Sequence, residues 1–454
     1  MLTAEKNAIL TETGPDRPMG QLFRFFWQPA LLSRELPEPD CPPRRVKILN
    51  TDMVAIRDSG GRAQLITPTC PHRGANLFFG RVEEGGIRCA YHGWKFDADG
   101  NCLDIPTLPD NGQREKMCEK IKLQTYPTRE AGGLIWVYLG PEEMMPEMPQ
   151  FDFLDMPEDQ VYVSKKYQFS NWAQACEGAL DTAHFSFLHM PLVGGKIDFG
   201  KDAFVAESSA DERRIGWIRN DGSPRFSITK HEAGLVIGGA RYADEGDTYW
   251  RISQFLMPNH GLAPNAFPGE NMHGQCWVPI DDETCWIFNY TWNPDRKLGE
   301  DEVERFRNGA SIHAATDENY VPIRNITNDF MIDREDQKTR TYTGIKGVSE
   351  QDAAIQESMG PIVDRTKEHL NSSDLGVVQF RRYILDAAKT LEFEGLLPTA
   401  HSHPQNYRLR SGSHVCSDTI PFDDVMVERF GHRLGMAPAA VEAEADTPAK
   451  VDAE

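Results

Sequence analysis

Two short segments of the chain bring thiols and imidazoles together at a spacing that few folds can use. Cys70-Pro71-His72 is followed sixteen residues later by Cys89-Ala90-Tyr91-His92. One thiol and one imidazole on each of two loops, about a hairpin apart, require a small framework of tight turns, and Gly74, Gly93 and Gly100 are placed to supply them. Thiolates stabilise ferric iron, while neutral imidazoles on a second iron remove negative charge and raise the potential. The pattern therefore suits a 2Fe–2S cluster. Structural zinc uses the same ligand types, but usually as C-x2–4-C or H-x3–5-H pairs. A C-x-H pair answered by C-x2-H does not fit that habit.

The texture around these loops is that of a small β module. Residues 44–140 contain short strand-like runs (VKILN, MVAIRD, AQLITP, GGLIWVYLG) broken by turn residues such as Asp58-Ser59-Gly60-Gly61. A short helix is predicted over 3–12. The Pro- and Met-rich stretch 141–157 reads as a linker. Helical spacing follows over 171–188, then strands across 203–292. Further helices are expected from Glu302, over 352–370 and over 377–391. The Ala/Glu/Asp/Pro-rich residues 436–454 are expected to be disordered. The fold class is α+β, divided into an N-terminal segment 1–43 packing with the catalytic part, a cluster domain 44–150, a larger domain 151–435 and the tail.

A second constellation lies in Asp181-Thr182-Ala183-His184-Phe185-Ser186-Phe187-Leu188-His189. Asp181 and His184, three apart, would share a helix face. His189 would reach the same point only if the helix bends or ends after His184. Two histidines and a carboxylate on one face of Fe(II) leave positions open for substrate-gated dioxygen. The histidines alone are a weak signal, since most histidines carry no special role. They gain weight by following a cluster motif, because a group that stores one electron needs a destination for it. Local sequence leaves the carboxylate open. Asp352 opens a predicted helix, where an ordinary N-cap is an equal reading, and Glu350, Glu357 and Asp364 are rivals.

Bulk properties exclude several other classes. The 454 residues carry a formal charge of −21, which argues against nucleic acid and anionic membranes as partners. No run approaches the length of a membrane span, no export signal is evident, and a cytoplasmic location is expected. The nine cysteines are scattered, so a disulfide framework is not expected. Cys41, Cys102, Cys118, Cys176, Cys276, Cys285 and Cys416 read as buried thiols. GxGxxG is absent, so nicotinamide and flavin chemistry is assigned to a partner.

The loops CPHRGANLFFG and CAYHGWKFDADGNC, the stretch NWxQxxEGxxDTxH, Met19-Gly20-Gln21-Leu22 and Trp27-Gln28-Pro29-Ala30 resemble the α subunits of Rieske aromatic-ring-hydroxylating oxygenases over roughly 20–390. The likeness is greatest to the branch that holds phthalate dioxygenase and aromatic-acid O-demethylases. The resemblance implies an all-β Rieske domain and a helix-grip (START-like) catalytic domain with an antiparallel sheet and C-terminal helices. It implies that Cys70, His72, Cys89 and His92 bind one 2Fe–2S cluster per subunit. It likewise implies that His184, His189 and Asp352 bind one mononuclear Fe(II). Asp181 would be the catalytic bridge, hydrogen-bonding His184 in its own subunit and His92 of the next, which requires a cyclic oligomer, a homotrimer by the norm of the branch. The implied partners are an NADH-dependent flavin/iron–sulfur reductase, with or without a separate ferredoxin, a small aromatic substrate and dioxygen.

The implied reaction is hydroxylation or O-demethylation of a carboxylated aromatic compound. Arg225, Arg241 and Arg251, on the strand-rich segment expected to wall the pocket, are candidates to bind the carboxylate, against the ordinary alternative of surface or salt-bridged arginine. The other readings are a Rieske oxygenase for a non-aromatic or non-acidic substrate, a pure electron carrier, and a zinc-stabilised binding protein or hydrolase.

Overall fold

The computed structural model describes residues 1–192 and 212–431. The acidic tail over 436–454 and the first part of the expected strand segment, 203–211, lie outside the described residues. The chain divides into two compact units, Phe23–Pro146 and the remainder.

Phe23–Pro146 consists of three small antiparallel sheets and one short helix, Gln113–Cys118. Hairpins this tight need left-handed turn residues. Leu49 and Asn50, both at positive φ, join Arg44–Ile48 to Thr51–Arg57, as a two-residue turn matched to strand twist requires. The strands Arg81–Glu83, Gly86–Arg88, Lys95–Asp97 and Cys102–Asp104 form the sheet beside the second Cys/His loop. Ile56, Ile66, Leu77, Ile87, Trp94 and Phe96 fill a core that also holds Cys70 and Cys89. The segment 1–43, expected to pack as one piece with the catalytic part, divides instead. Residues 1–22 belong there, but Gln28–Leu32 pairs with Leu134–Val137 inside the cluster unit. Both partners are fully buried strands, apolar except for Gln28, and their pairing fixes the aromatic run Phe23–Trp27 in this unit.

The second unit is built on an eight-stranded antiparallel sheet with helices packed on it. Gly234–Tyr242 and Asp247–Leu256 are buried almost throughout, as strands covered on both faces must be. Several sequence expectations are corrected here. Glu212–Asn220 is a helix rather than strand; Ile215 and Ile218, three apart, turn one face inwards. The helix expected over 171–188 stops at Leu180. The helix expected over 352–370 runs Val348–Ser358, so Asp352 lies inside it and is not its N-cap. The helix expected over 377–391 extends over Leu375–Glu394 and ends on Gly395 in the left-handed conformation. A late strand, Gly412–Ser417, pairs with Asp247–Leu256, and a final helix spans Phe422–Phe430. No helix among the described residues is long and apolar enough to cross a membrane.

Candidate metal centres

The two Cys/His loops are near-copies of each other. In each, the amide after a five-residue turn closes back on the cysteine: Gly74 N donates to Cys70 O and Gly93 N to Cys89 O, both at 3.0 Å. Cys70 N in turn donates to Ala75 O at 2.9 Å and Cys89 N to Trp94 O at 2.8 Å. Gly74 and Gly93 adopt φ of +74° and +75°, which side-chain-bearing residues avoid. The His72 ring lies 4.6 Å from that of His92 and stacks on Trp94 at 4.4 Å. Burial raises the Cys70 thiol, whereas the backbone N–H groups of His72 and Arg73 aimed at its sulfur favour the charged form.

These residues fit an iron–sulfur cluster. The Cys70 and Cys89 thiols touch each other, and His92 Nδ1 is buried without a hydrogen-bond partner among the described residues, as expected of a nitrogen reserved for a metal. The four donors do not close round one point tightly enough for a single ion; among the described residues, His184, His189 and Asp352 do so. A zinc site at Cys70, His72, Cys89 and His92 is therefore disfavoured. Of the other cysteines, Cys41, Cys176, Cys276, Cys285 and Cys416 are buried as expected, but Cys102 and Cys118 are half-buried, with sulfurs 2.8 Å apart.

The second centre hangs from the end of the helix Trp172–Leu180. The motif residues before it are anchors. The side chain of Asn171 donates to Thr11 O and Asp282 O, Trp172 Nε1 to Leu10 O, and Gln174 Nε2 to Gln356 O and Gly360 O. Glu177, buried, accepts from both Arg365 and Arg381. Gly178 allows this helix to approach Val348–Ser358: a Cβ there would sit 2.2 Å from Gln356 Nε2. Asp181 then ends the helix in an extended conformation, its carboxylate accepting the Ala183 amide at 2.7 Å. Such a local bond competes with continued helix. The bend therefore falls before His184, not after it. Asp181 and His184 do not share a helix face, yet Asp181 Oδ2 lies 3.4 Å from His184 Nδ1.

His184 Nε2 and His189 Nε2 face each other at 3.1 Å, and Asp352 Oδ1 lies 3.7 and 3.2 Å from them. On their far sides both rings are held. Gln351 Nε2 donates to Ile345 O at 2.8 Å, so its Oε1 is the atom 2.7 Å from His189 Nδ1. His189 must then donate from Nδ1 and present a bare Nε2. Asp181 does the same for His184. Burial would raise the Asp181 and Asp352 carboxyls, but their histidine neighbours outweigh it and hold both below the usual range. An anionic carboxylate with two imidazole nitrogens on one side is a donor set for divalent iron with open positions. Gln351 was missed as a functional residue; its adjacency to Asp352 was the available signal.

The rival carboxylates lie elsewhere. Glu350 is buried and pushed up to about 7 by burial. Glu357 accepts the Phe169 amide and is likewise pushed to about 7. Asp364, exposed, accepts from Thr366 and pairs with Lys367. The triad opens into a pocket walled by Phe185, Leu262, Trp277 and Val348, with Arg251, Asn265, Gln275 and Ser311 as polar members. Of the three candidate arginines, only Arg251 lines it. Its guanidinium lies over Phe185 at 4.0 Å and donates to Thr182 Oγ1 and Tyr249 OH. Arg241 is committed to Thr182 O and Asp221 O, and its pKa is lowered to about 10 by burial and the adjacent Arg251. Arg225 is exposed and stacks over Tyr242.

A Rieske [2Fe-2S] domain matches residues 26–127, and a domain described as LigXa C-terminal domain like matches 137–433. The 3-chlorobenzoate-3,4-dioxygenase oxygenase subunit of Comamonas testosteroni is 34% identical over 95% of this chain and 99% of its own length. The phthalate 4,5-dioxygenase oxygenase subunit of Pseudomonas putida is 38% identical over 85% of this chain and 86% of its own. The terminal oxygenase of carbazole 1,9a-dioxygenase from Novosphingobium sp. KA1 shares the fold, with a TM-score of 0.55 at 21% identity over 85% of this chain and 95% of that one. With a Rieske 2Fe–2S cluster and a mononuclear iron as its cofactors, the chain belongs to the Rieske non-haem iron oxygenases, as an oxygenase (α) subunit.

Proposed function

We propose that the chain hydroxylates or O-demethylates a carboxylated aromatic compound in the pocket beside His184, His189 and Asp352, and that these three residues bind the iron. Cys70, His72, Cys89 and His92 hold the cluster. When bound, the cluster supplies electrons one at a time and the iron supplies the reductive activation of dioxygen. The protein orients and insulates that chemistry. Gln351 and Asp181 fix the two imidazoles, and the apolar wall of Phe185, Leu262 and Trp277 keeps bulk water from the ring. Asp181 is assigned the electron path to His184 from the cluster of a neighbouring subunit, in a homotrimer. Electrons come from an NADH-dependent flavin/iron–sulfur reductase, directly or through a ferredoxin. The names of both relatives, each an oxygenase subunit, support a separate electron donor.

The observation that carries the substrate class is Arg251. It is 1% exposed, lines the pocket, and among the described residues donates to neutral hydroxyls rather than to a carboxylate. A buried guanidinium without an anion is costly unless a ligand brings one. The names of the two relatives, acting on a chlorobenzoate and on phthalate, support the same class. Replacing Arg251 by Met is expected to raise KM for an aromatic acid by about 10- to 100-fold, with Arg225→Met unchanged. Equal KM values for wild type and Arg251→Met would transfer the reading to a non-acidic substrate.

A further inference from the structure

The wall that carries Gln275 and Trp277 also contains an unbroken file of five side chains. Ser311, which lines the pocket, places its Oγ 3.3 Å from His273 Nε2. His273 Nδ1 is 2.7 Å from Thr291 Oγ1, and Thr291 Oγ1 is 2.8 Å from His313 Nε2. His313 Nδ1 is 2.7 Å from Ser164 Oγ. Each imidazole is met at one nitrogen and left at the other, and each hydroxyl can donate and accept at once.

Strand register builds the file. His273 stands directly opposite Thr291, and Ser164 opposite Asn289, two residues along on the same face. His273, Gln275 and Trp277 alternate along one strand and so share a face. Ser311 and His313 come from the loop after the helix Glu300–Arg307, and Ser311 is held at φ +57°. Non-glycine residues seldom adopt that conformation without reason. Exposure is graded along the file: His273, Thr291 and His313 are at 1%, 0% and 0%, whereas the ends, Ser311 and Ser164, keep 7% and 8%. Ser164 lies on Val161–Gln168, the edge strand of the sheet. Burial holds the His273 imidazole down to about 4, so it rests neutral, able to accept a proton only as it gives one up.

The chemistry of the pocket has a use for such a file. Inserting oxygen from dioxygen into an organic substrate takes up two protons with two electrons, whether one or both oxygen atoms enter the product. The ionisable groups lining the pocket are the triad, Asp181 and Arg251, already engaged with one another or with Thr182 and Tyr249. We propose that Ser164, His313, Thr291, His273 and Ser311 form a proton relay that feeds the pocket during oxygen reduction, a role that rests on the reading of the triad as the iron site. One proton joins Ser164 Oγ from solvent. At each link one O–H or N–H bond breaks as the next forms, and Ser311 Oγ releases one proton into the pocket. No residue is oxidised, no charge remains, and the file resets as the hydroxyls turn and the imidazoles exchange tautomers.

Thr291→Val is nearly isosteric and removes the one atom shared by both halves. In fully loaded enzyme we expect kcat to fall on the order of 10- to 100-fold, the solvent deuterium isotope effect on kcat to rise, and peroxide released per NADH to increase. KM should stay unchanged, and Thr291→Ser should restore all three. Nitrogen-15 NMR of histidine-labelled protein at rest gives a readout independent of turnover: the ring signals of His273 and His313 should shift in Thr291→Val and not in Thr291→Ser. Should Thr291→Val fold poorly, Ser164→Ala cuts the outer end and is expected to reproduce the isotope effect. The proposal is overturned if the ring signals do not move, or if they move while kcat and isotope effect match wild type, or if kcat falls with no change in isotope effect. Iron analysis of wild type and His184→Ala separates these outcomes from failure of the triad reading, which would leave iron bound in both.

Discussion

The two candidate metal centres are assembled in opposite ways. The proposed cluster residues occupy two near-identical loops within one run of sequence, each closed by its own backbone bonds and a left-handed glycine. The proposed iron residues come from the segment that follows one helix and from the middle of another, with Asp352 more than 160 positions after His189. The first site depends on local turn chemistry, and the second on long-range packing. Damage to the fold should therefore reach them unequally.

The largest expected contrast comes from the ligands themselves. Cys89→Ser should abolish the visible absorbance of the cluster and keep the mononuclear iron, while Asp352→Ala should do the reverse; each should leave turnover below about one per cent of wild type. Loss of both metals in either variant would break the distinction. Next, Glu177→Gln leaves Arg365 buried without its anion and takes from Arg381 one of two, Glu368 remaining; it should cost about 3–5 kcal/mol, read as a lower unfolding temperature for the catalytic unit with the cluster spectrum intact below it. Burial alone would raise the Glu177 carboxyl, but the two arginines outweigh it and hold it below its usual range. Its stabilisation is then present above the ordinary carboxylate pKa and disappears as pH falls through the folded value. Wild type and Glu177→Gln should accordingly converge in stability towards acid pH.

How far each centre could be read in the sequence follows the same division. The C-x-H and C-x2-H loops are legible because their donors, turns and glycines are neighbours in the chain. Asn171, Trp172, Gln174 and Glu177 were visible as a pattern, but their work is to bind Thr11, Leu10, Gln356 and Arg381, partners that only the fold supplies. Asp352 could not be told from Glu350 or Glu357 by local sequence, since all three lie on one helix and only its packing decides which faces the histidines. The helix end at Asp181 was misplaced because a side chain capturing the Ala183 amide competes with helix without altering the hydrophobic spacing. Arg225 and Arg251 are alike in sequence; strand position buries one and exposes the other.

Smaller effects sharpen the contrast. Gln351→Leu removes the acceptor behind His189 and should weaken iron binding by about 10- to 100-fold while leaving cluster content unchanged, measured by metal titration of the apoprotein. Within the cluster unit, Gly74→Ala meets nothing within 4 Å and should cost only the left-handed backbone, about 1 kcal/mol. Gly93→Ala would in addition press on Pro106 Cγ at 2.7 Å and should cost more. Equal melting points for the two would mean that the loops are less rigid than their matching bonds suggest.

The missing side chain at Gly178 has a consequence for the glutamine beside the proposed iron centre. One helix leads into the two nitrogens and the other carries the oxygen, and bare backbone at 178 leaves a berth for the Gln356 amide. A methyl there would meet that amide first and press it away from its bond to Gln168, without touching a single donor.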